Sequence, residues 1–258
     1  MTLPADLPPW AYPLFFAAGL TAGTVDAIAG GGGLITLPVL LGVGLPVPLA
    51  LGTNKLGAVF GSGAATLSFM QRGLVSLREC APGVALTAVG ALAGAAAVRR
   101  LDPDFLASFI PWLLAVMVVY MGFRPRLGEA SRRQRLGRPA FYLLAGLGLG
   151  FYDGFFGPGV GSFWTIAFIL LLGHDFLQAA AHTKLMNFTS NAAALAFFAW
   201  SGAVLLVPGL VMGAGQLLGG RLGAHLAVTR GARFIRPIFL VMAGLTVLKL
   251  LYQHFLRA

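Results

Sequence analysis

Apolar residues run along this chain in long, almost uninterrupted blocks, at roughly 11–29, 33–45, 48–70, 80–98 and 105–122. They resume at roughly 140–156, 159–173, 176–200, 203–227 and 234–255. Neither the strict alternation of a strand nor the polar face of a soluble amphipathic helix is visible, so each block reads as a helix that is apolar all round. One bilayer crossing takes roughly 20 such residues. The expected fold class is therefore an all-α polytopic membrane protein. In each half two segments are short or broken at glycines, and three longer ones follow.

The two halves answer each other. Asp26-Ala27-Ile28-Ala29-Gly30-Gly31-Gly32-Gly33 closes the first run, and Asp153-Gly154-Phe155-Phe156-Gly157-Pro158-Gly159-Val160-Gly161 closes the sixth, 127 positions on. Thr53-Asn54-Lys55-Leu56 is answered by His182-Thr183-Lys184-Leu185 at 129, and Pro82-Gly83 by Pro208-Gly209 at 126. A nearly constant offset over the whole length marks duplication. The expected organisation is a first transmembrane repeat over 1–123, a basic linker over 124–139 and a second repeat over 140–258. Five crossings per half would insert the copies upside down, a common design of secondary transporters. A re-entrant hairpin in place of one short crossing would make them parallel. The inverted reading is preferred.

Composition agrees with lipid as the solvent. Of 258 residues, 58% are hydrophobic and only 10% charged, against roughly 25% charged in soluble domains. Mean hydropathy is +0.85. The formal charge of +10 lies mostly in short loops, six arginines of it between 124 and 138. That is the positive-inside pattern, not a nucleic-acid footprint, and nucleic acid is excluded as a partner. With the linker cytoplasmic, both termini fall outside. The expected location is a bacterial inner membrane. Cys80 is the lone cysteine, so no internal disulfide forms, and no cofactor or metal-ligand spacing is present.

Charge inside the apolar runs is scarce and therefore informative. Lys55 and Lys184, two of three lysines, hold matched positions, and an intramembrane lysine costs roughly 2.5–3.5 kcal/mol on insertion scales. They are candidates to bind an anion; a Lys–Asp pair that merely locks the fold is the plain alternative. Lys249 reads as a residue snorkelling to the interface. Asp26 and Asp153 serve as counter-ions, as proton carriers or as caps before the glycine turns. Gly31, Gly32 and Gly33, with Gly159 and Gly161, allow unwound backbone whose free N–H groups and positive helix ends suit an anion. Thr53, Asn54, Thr183 and Asn187 stand close by and complete the candidate substrate site. Ser62, Ser190 and Asn191 either join it or bond between helices. His182 reads as packed, and Gly90, Gly94, Gly215 and Gly219 as close helix contacts.

These tracts resemble the sulfite exporter TauE/SafE family, most of all its bacterial transporter branch. Val25-Asp26-Ala27-Ile28-Ala29-Gly30-Gly31-Gly32-Gly33 and Leu51-Gly52-Thr53-Asn54-Lys55-Leu56 carry the resemblance in one half. Phe151-Tyr152-Asp153-Gly154-Phe155-Phe156-Gly157-Pro158-Gly159 and His182-Thr183-Lys184-Leu185-Met186-Asn187 carry it in the other. The resemblance implies transport of sulfite, a sulfonate or another small organic anion. The expected function is secondary transport of a small anion by alternating access, with protons as the candidate coupling ion and a homodimer left open. A passive anion channel, a lipid-acting enzyme and a non-transporting assembly subunit are the rivals. The enzyme is disfavoured because no nucleophile–base pair is present.

Overall fold

The computed structural model describes residues 7–102, 104–106, 108, 109, 112, 115, 116 and 134–230. The run at 105–122 lies partly, and that at 234–255 wholly, outside the described residues. So do Lys249 and most of the basic linker.

Among the described residues every regular element is helical, and long and short helices follow the same order twice. Helix α1 (Ala11–Ala29) leads to the short α2 (Gly33–Gly42), then α3 (Val47–Gln71) and α4 (Ala81–Arg99). Helix α5 joins Arg138–Phe141, one wide π turn over Tyr142–Gly146, and Leu147–Phe155. After it come the short α6 (Val160–Leu172), α7 (Phe176–Trp200) and α8 (Leu206–Arg230). At 1.5 Å per residue α2 is only about 15 Å long, half a hydrocarbon core, while α3 and α7 at about 37 Å exceed it.

Helix directions follow from where glycines meet their neighbours. Gly19, Gly23 and Gly223 put α1 alongside α8 in the same direction, against Met212, Gln216 and Thr24 respectively. Gly57 on Met212 and Gly61 on Gly220 make α3 parallel to α8 as well. Since α1 and α3 run the same way, α2 carries the chain back between them. The other half does likewise. Gly83 on Tyr142 and Gly94 on Phe151 make α4 and α5 parallel. The N–H groups of Arg135 and Leu136 donate to Leu171 O, so α6 returns to the end at which α5 begins. By contrast α3 and α7 cross in opposite directions, Gly52 beside Phe198 and Gly63 beside Phe188.

The expectation of five separate crossings per half changes accordingly. The first two runs of each half form one hairpin that enters and leaves at the same end. Apolar length alone does not distinguish a crossing from the arm of a hairpin; the reversal is made at the glycine break, where Gly30 and Gly31 have φ of 73° and 107°, and Gly157 and Gly159 of 97° and 84°.

Packing between α1 and α8, and between α4 and α5, is backbone on backbone. A Cβ on Gly94 would begin 2.1 Å from Phe151 O, and one on Gly219 2.2 Å from Leu20 O. Gly90 and Gly215 make the same kind of contact. Without a hydrophobic force between helices in lipid, such close approach is how they associate. The largest fully buried side chains are aromatic and aliphatic, with two exceptions: Lys55 and Lys184.

Candidate functional site

The two glycine breaks meet inside the bundle. A side chain on Gly161 would start 2.8 Å from Gly30 Cα, so the loop between α1 and α2 touches the start of α6 with no room for a Cβ on either. Around this contact lies a small cavity of about 30 Å³. It is lined by Asp26, Gly31, Gly32, Gly33 and Thr36 from one hairpin, and by Asp153, Gly157, Gly159, Val160 and Gly161 from the other. Helix α3 adds Asn54 and Lys55, α7 adds Asn187 and Asn191, and α8 adds Gln216.

The lysines reach this region by symmetry of position, each being the ninth residue of its 25-residue helix. Because α3 and α7 are antiparallel, each lysine meets the aspartate of the opposite half. Lys55 Nζ lies 2.5 Å from Asp153 Oδ1, and Lys184 Nζ 2.8 Å from Asp26 Oδ2. The four formal charges cancel, so the ammonium groups are not bare anion traps. Both are neutralised by pairs that tie one half to the other. In low dielectric, removing one partner strands the other charge and costs roughly 3–5 kcal/mol.

The two aspartates are held differently. Asp26 accepts from the N–H groups of Gly31 and Gly32 at 3.0 and 3.1 Å through Oδ1, capping the start of α2. Asp153 gives Oδ1 to Lys55 and Oδ2 to a short bond from Ser190. Asp153 is 2% exposed and Asp26 19%.

Of the residues singled out from sequence, Asp26, Asp153, Lys55, Asn54, Asn187 and all five glycines converge on the cavity. Lys184 stands just behind it, its Nζ 3.6 Å from where a Cβ of Gly161 would be. Thr53 and Thr183 do not reach it. The Thr53 hydroxyl accepts from Leu205 N at 3.0 Å at the entry to α8, and Thr183 Oγ1 pairs with Thr165 Oγ1 at 3.2 Å. Adjacent residues on a helix point about 100° apart, so neighbours of a lysine in sequence face elsewhere. His182 is packed, its Nδ1 on Gln178 O and its ring against His174 and Phe168.

Sequence reading missed Gln216 and Thr36. The Thr36 hydroxyl lies 2.5 Å from Asn54 Oδ1. Gln216 is 4% exposed, its Nε2 has no hydrogen-bond partner among the described residues, and its amide fits a slot left by Gly57 and Gly61. Asn187 Oδ1 has no partner among the described residues either. A lone amide inside an otherwise apolar run was the available signal, since polar groups at membrane depth are costly.

A family model described as "Sulfite exporter TauE/SafE" matches residues 15–250. The "Probable membrane transporter protein ORF9" of Sinorhizobium sp is 43% identical over 236 residues, 92% of this chain and 90% of that protein. A "Probable membrane transporter protein" of Haemophilus influenzae is 43% identical over 241 residues, covering 93% and 94%. "Probable membrane transporter protein YfcA" of Escherichia coli K12 is 44% identical over 240 residues, covering 93% and 89%. No solved structure matches the chain.

Proposed function

The chain belongs to the sulfite exporter TauE/SafE family of membrane transporters, and from that premise we propose that it carries a small oxyanion by alternating access at the cavity between the two glycine breaks. The observation that carries this reading is the meeting of both breaks, back to back at Gly30 and Gly161, beside two buried Lys–Asp pairs. Unwound backbone, half-length helices and charge at mid-depth together are the make-up of a transporter site.

The repeats are inverted in this proposal. The antiparallel crossing of α3 and α7 supports it, as does the exchange in which α1 packs on α8 while α5 packs on α4. One hairpin plus three crossings per half keeps the number odd, so the second copy inserts upside down. Alternating access then rocks one hairpin with its partner helices against the other. A cavity of about 30 Å³ is small for an oxyanion, so in this proposal the site widens as the anion enters from one side.

The chain's own groups divide the work. The N–H groups at the starts of α2 and α6 and the amides of Asn54, Asn187 and Gln216 orient anion oxygens. The two Lys–Asp pairs set the charge of the site, and a carboxylate that takes a proton frees its lysine to meet the incoming negative charge, which couples transport to the proton gradient. The basic linker over 124–139 is placed on the cytoplasmic side of a bacterial inner membrane by the positive-inside rule.

The test is flux of sulfite, methanesulfonate and acetate into proteoliposomes. Saturable uptake of at least one is expected in the wild type. Loss of at least tenfold is expected in Lys55→Ala and Lys184→Ala variants that still elute as folded protein. Wild-type flux in both variants refutes the site.

A further inference from the structure

The two crossed ion pairs match in position but not in bonding. An ammonium group has three N–H donors. Lys55 spends all of them, on Asp153 Oδ1 and Asp153 O at 2.5 Å each and on Asn191 Oδ1 at 3.1 Å. Its aspartate is equally committed, to Lys55 through Oδ1 and to Ser190 through Oδ2. Opening this pair would orphan four buried polar groups at once, the Lys55 ammonium, Asp153 Oδ1, Asp153 O and Asn191 Oδ1.

Lys184 donates to a single acceptor among the described residues, Asp26 Oδ2. Two of its N–H bonds remain, beside Gly161 and the amide of Asn187. Asp26 is the more exposed carboxylate and lines the cavity. Its two oxygens are also separable: Oδ1 caps Gly31 and Gly32, and Oδ2 alone meets the lysine.

We propose, on the basis of the transporter reading above, that Lys184–Asp26 is the working pair and Lys55–Asp153 a permanent tie. A proton from the aqueous side binds Asp26 Oδ2, forming the neutral acid, while Oδ1 goes on accepting from Gly31 and Gly32 as the acid carbonyl. Lys184 keeps its charge, loses its counter-ion and offers its N–H donors to a monovalent oxyanion. Before binding the four groups sum to zero; with one proton and one monoanion added they still do. The co-transport is therefore electroneutral, one proton with each monoanion. Among the described residues the groups around Asp26 add no other titrating site. Helix α7 brings Lys184, α8 brings the neutral Gln216 with Arg221 and His225 exposed away from the cavity, and α2 and α6 hold no ionisable residue. On the far side of the cavity Lys55 and Asp153 cancel each other.

Infrared difference spectra of the reconstituted chain at pH 5, with methanesulfonate minus without it, read the protonation that accompanies anion binding, since Lys184 and the N–H groups of Gly31 and Gly32 hold Asp26 ionised in the empty pair. A carboxylic-acid C=O band is expected in the wild type, absent from Asp26→Asn and retained in Lys55→Met/Asp153→Leu, which removes the tie as a unit. Uptake of methanesulfonate, a monoanion from pH 5 to pH 8, is expected to follow a pH gradient and to be unchanged by a potassium–valinomycin potential. Asp26→Asn that still elutes as folded protein is expected to lose pH-driven accumulation at least tenfold. In thermal-shift titrations Lys184→Met should bind sulfite at least tenfold more weakly, with partial rescue by Lys184→Arg. A band that survives Asp26→Asn, or one lost only in the Lys55/Asp153 variant, overturns the assignment, as does uptake driven by potential. If the band behaves as stated but no anion is taken up by the wild type, the transport reading fails while the division between the pairs stands.

Discussion

At the scale of single residues, the charged and amide groups around the cavity are either spent on each other or left facing it, whereas a buried imidazole away from it has a different cost. His174, in the turn between α6 and α7, stacks on Phe168 with centroids 5.5 Å apart and stands 4.5 Å from the His182 ring. Its Nδ1 is buried without a partner among the described residues. Burial first, then His182 and Arg138, push its pKa from 6.5 down to about 4. The unfolded chain therefore takes up a proton below about pH 6.5 that the folded one refuses until about pH 4. Stability is full above the upper value, falls as pH drops between the two, and then levels off. The loss is on the order of 2 kcal/mol. Melting temperature in detergent should fall across that interval in the wild type, and His174→Phe, which keeps the ring stack, should flatten this part of the curve.

At the scale of elements, contacts between helices are decided by glycine. Gly94 and Gly219 let α5 and α1 bring their carbonyl oxygens to 2.1–2.2 Å of where a Cβ would stand. Gly94→Val and Gly219→Val should each lower stability by about 2 kcal/mol or more through overpacking. Gly148, also helical, has nothing within 4 Å, so Gly148→Ala should be neutral or stabilising by up to about 1 kcal/mol from helix propensity. Unfolding of the purified variants in detergent reads all three. A uniform loss would mean that these glycines act through backbone flexibility and not through close approach.

At the scale of the molecule, the proposed inverted arrangement makes a topological prediction. The turn after α7, at Ser201, lies at the end where α3 begins, beside Gly52. The turn before α4, holding Arg72 and Arg78, lies at the opposite end, where α5 begins. In a Cys80→Ser background, Ser201→Cys should react with a membrane-impermeant maleimide added outside intact cells. Arg78→Cys and Arg135→Cys should react only after the membrane is opened. Exposed Trp10 and Trp200 fit the outer interface, where the indole ring prefers the headgroup level. Labelling of all three positions from one side would contradict the inverted arrangement.

Most helices were legible in the chain because, in lipid, a helix is written as plain apolar length, and α1, α3, α4 and α7 begin and end within one residue of the blocks read from hydropathy. The matched Asp, Lys and glycine positions were legible because charge and unwound backbone are too costly at membrane depth to occur without a compensating partner. Three things were not. The reversal at each glycine break is decided by backbone angles that glycine permits but does not dictate. The pairing of each lysine with the opposite aspartate depends on α3 and α7 crossing antiparallel, a contact between residues more than ninety positions apart. Which neighbours face the cavity depends on helix rotation, which turned Thr53 and Thr183 away and brought Gln216 in. Hydrophobicity and cost per residue are properties of the chain. Direction, partner and facing are properties of the packing, and only the folded bundle settles them.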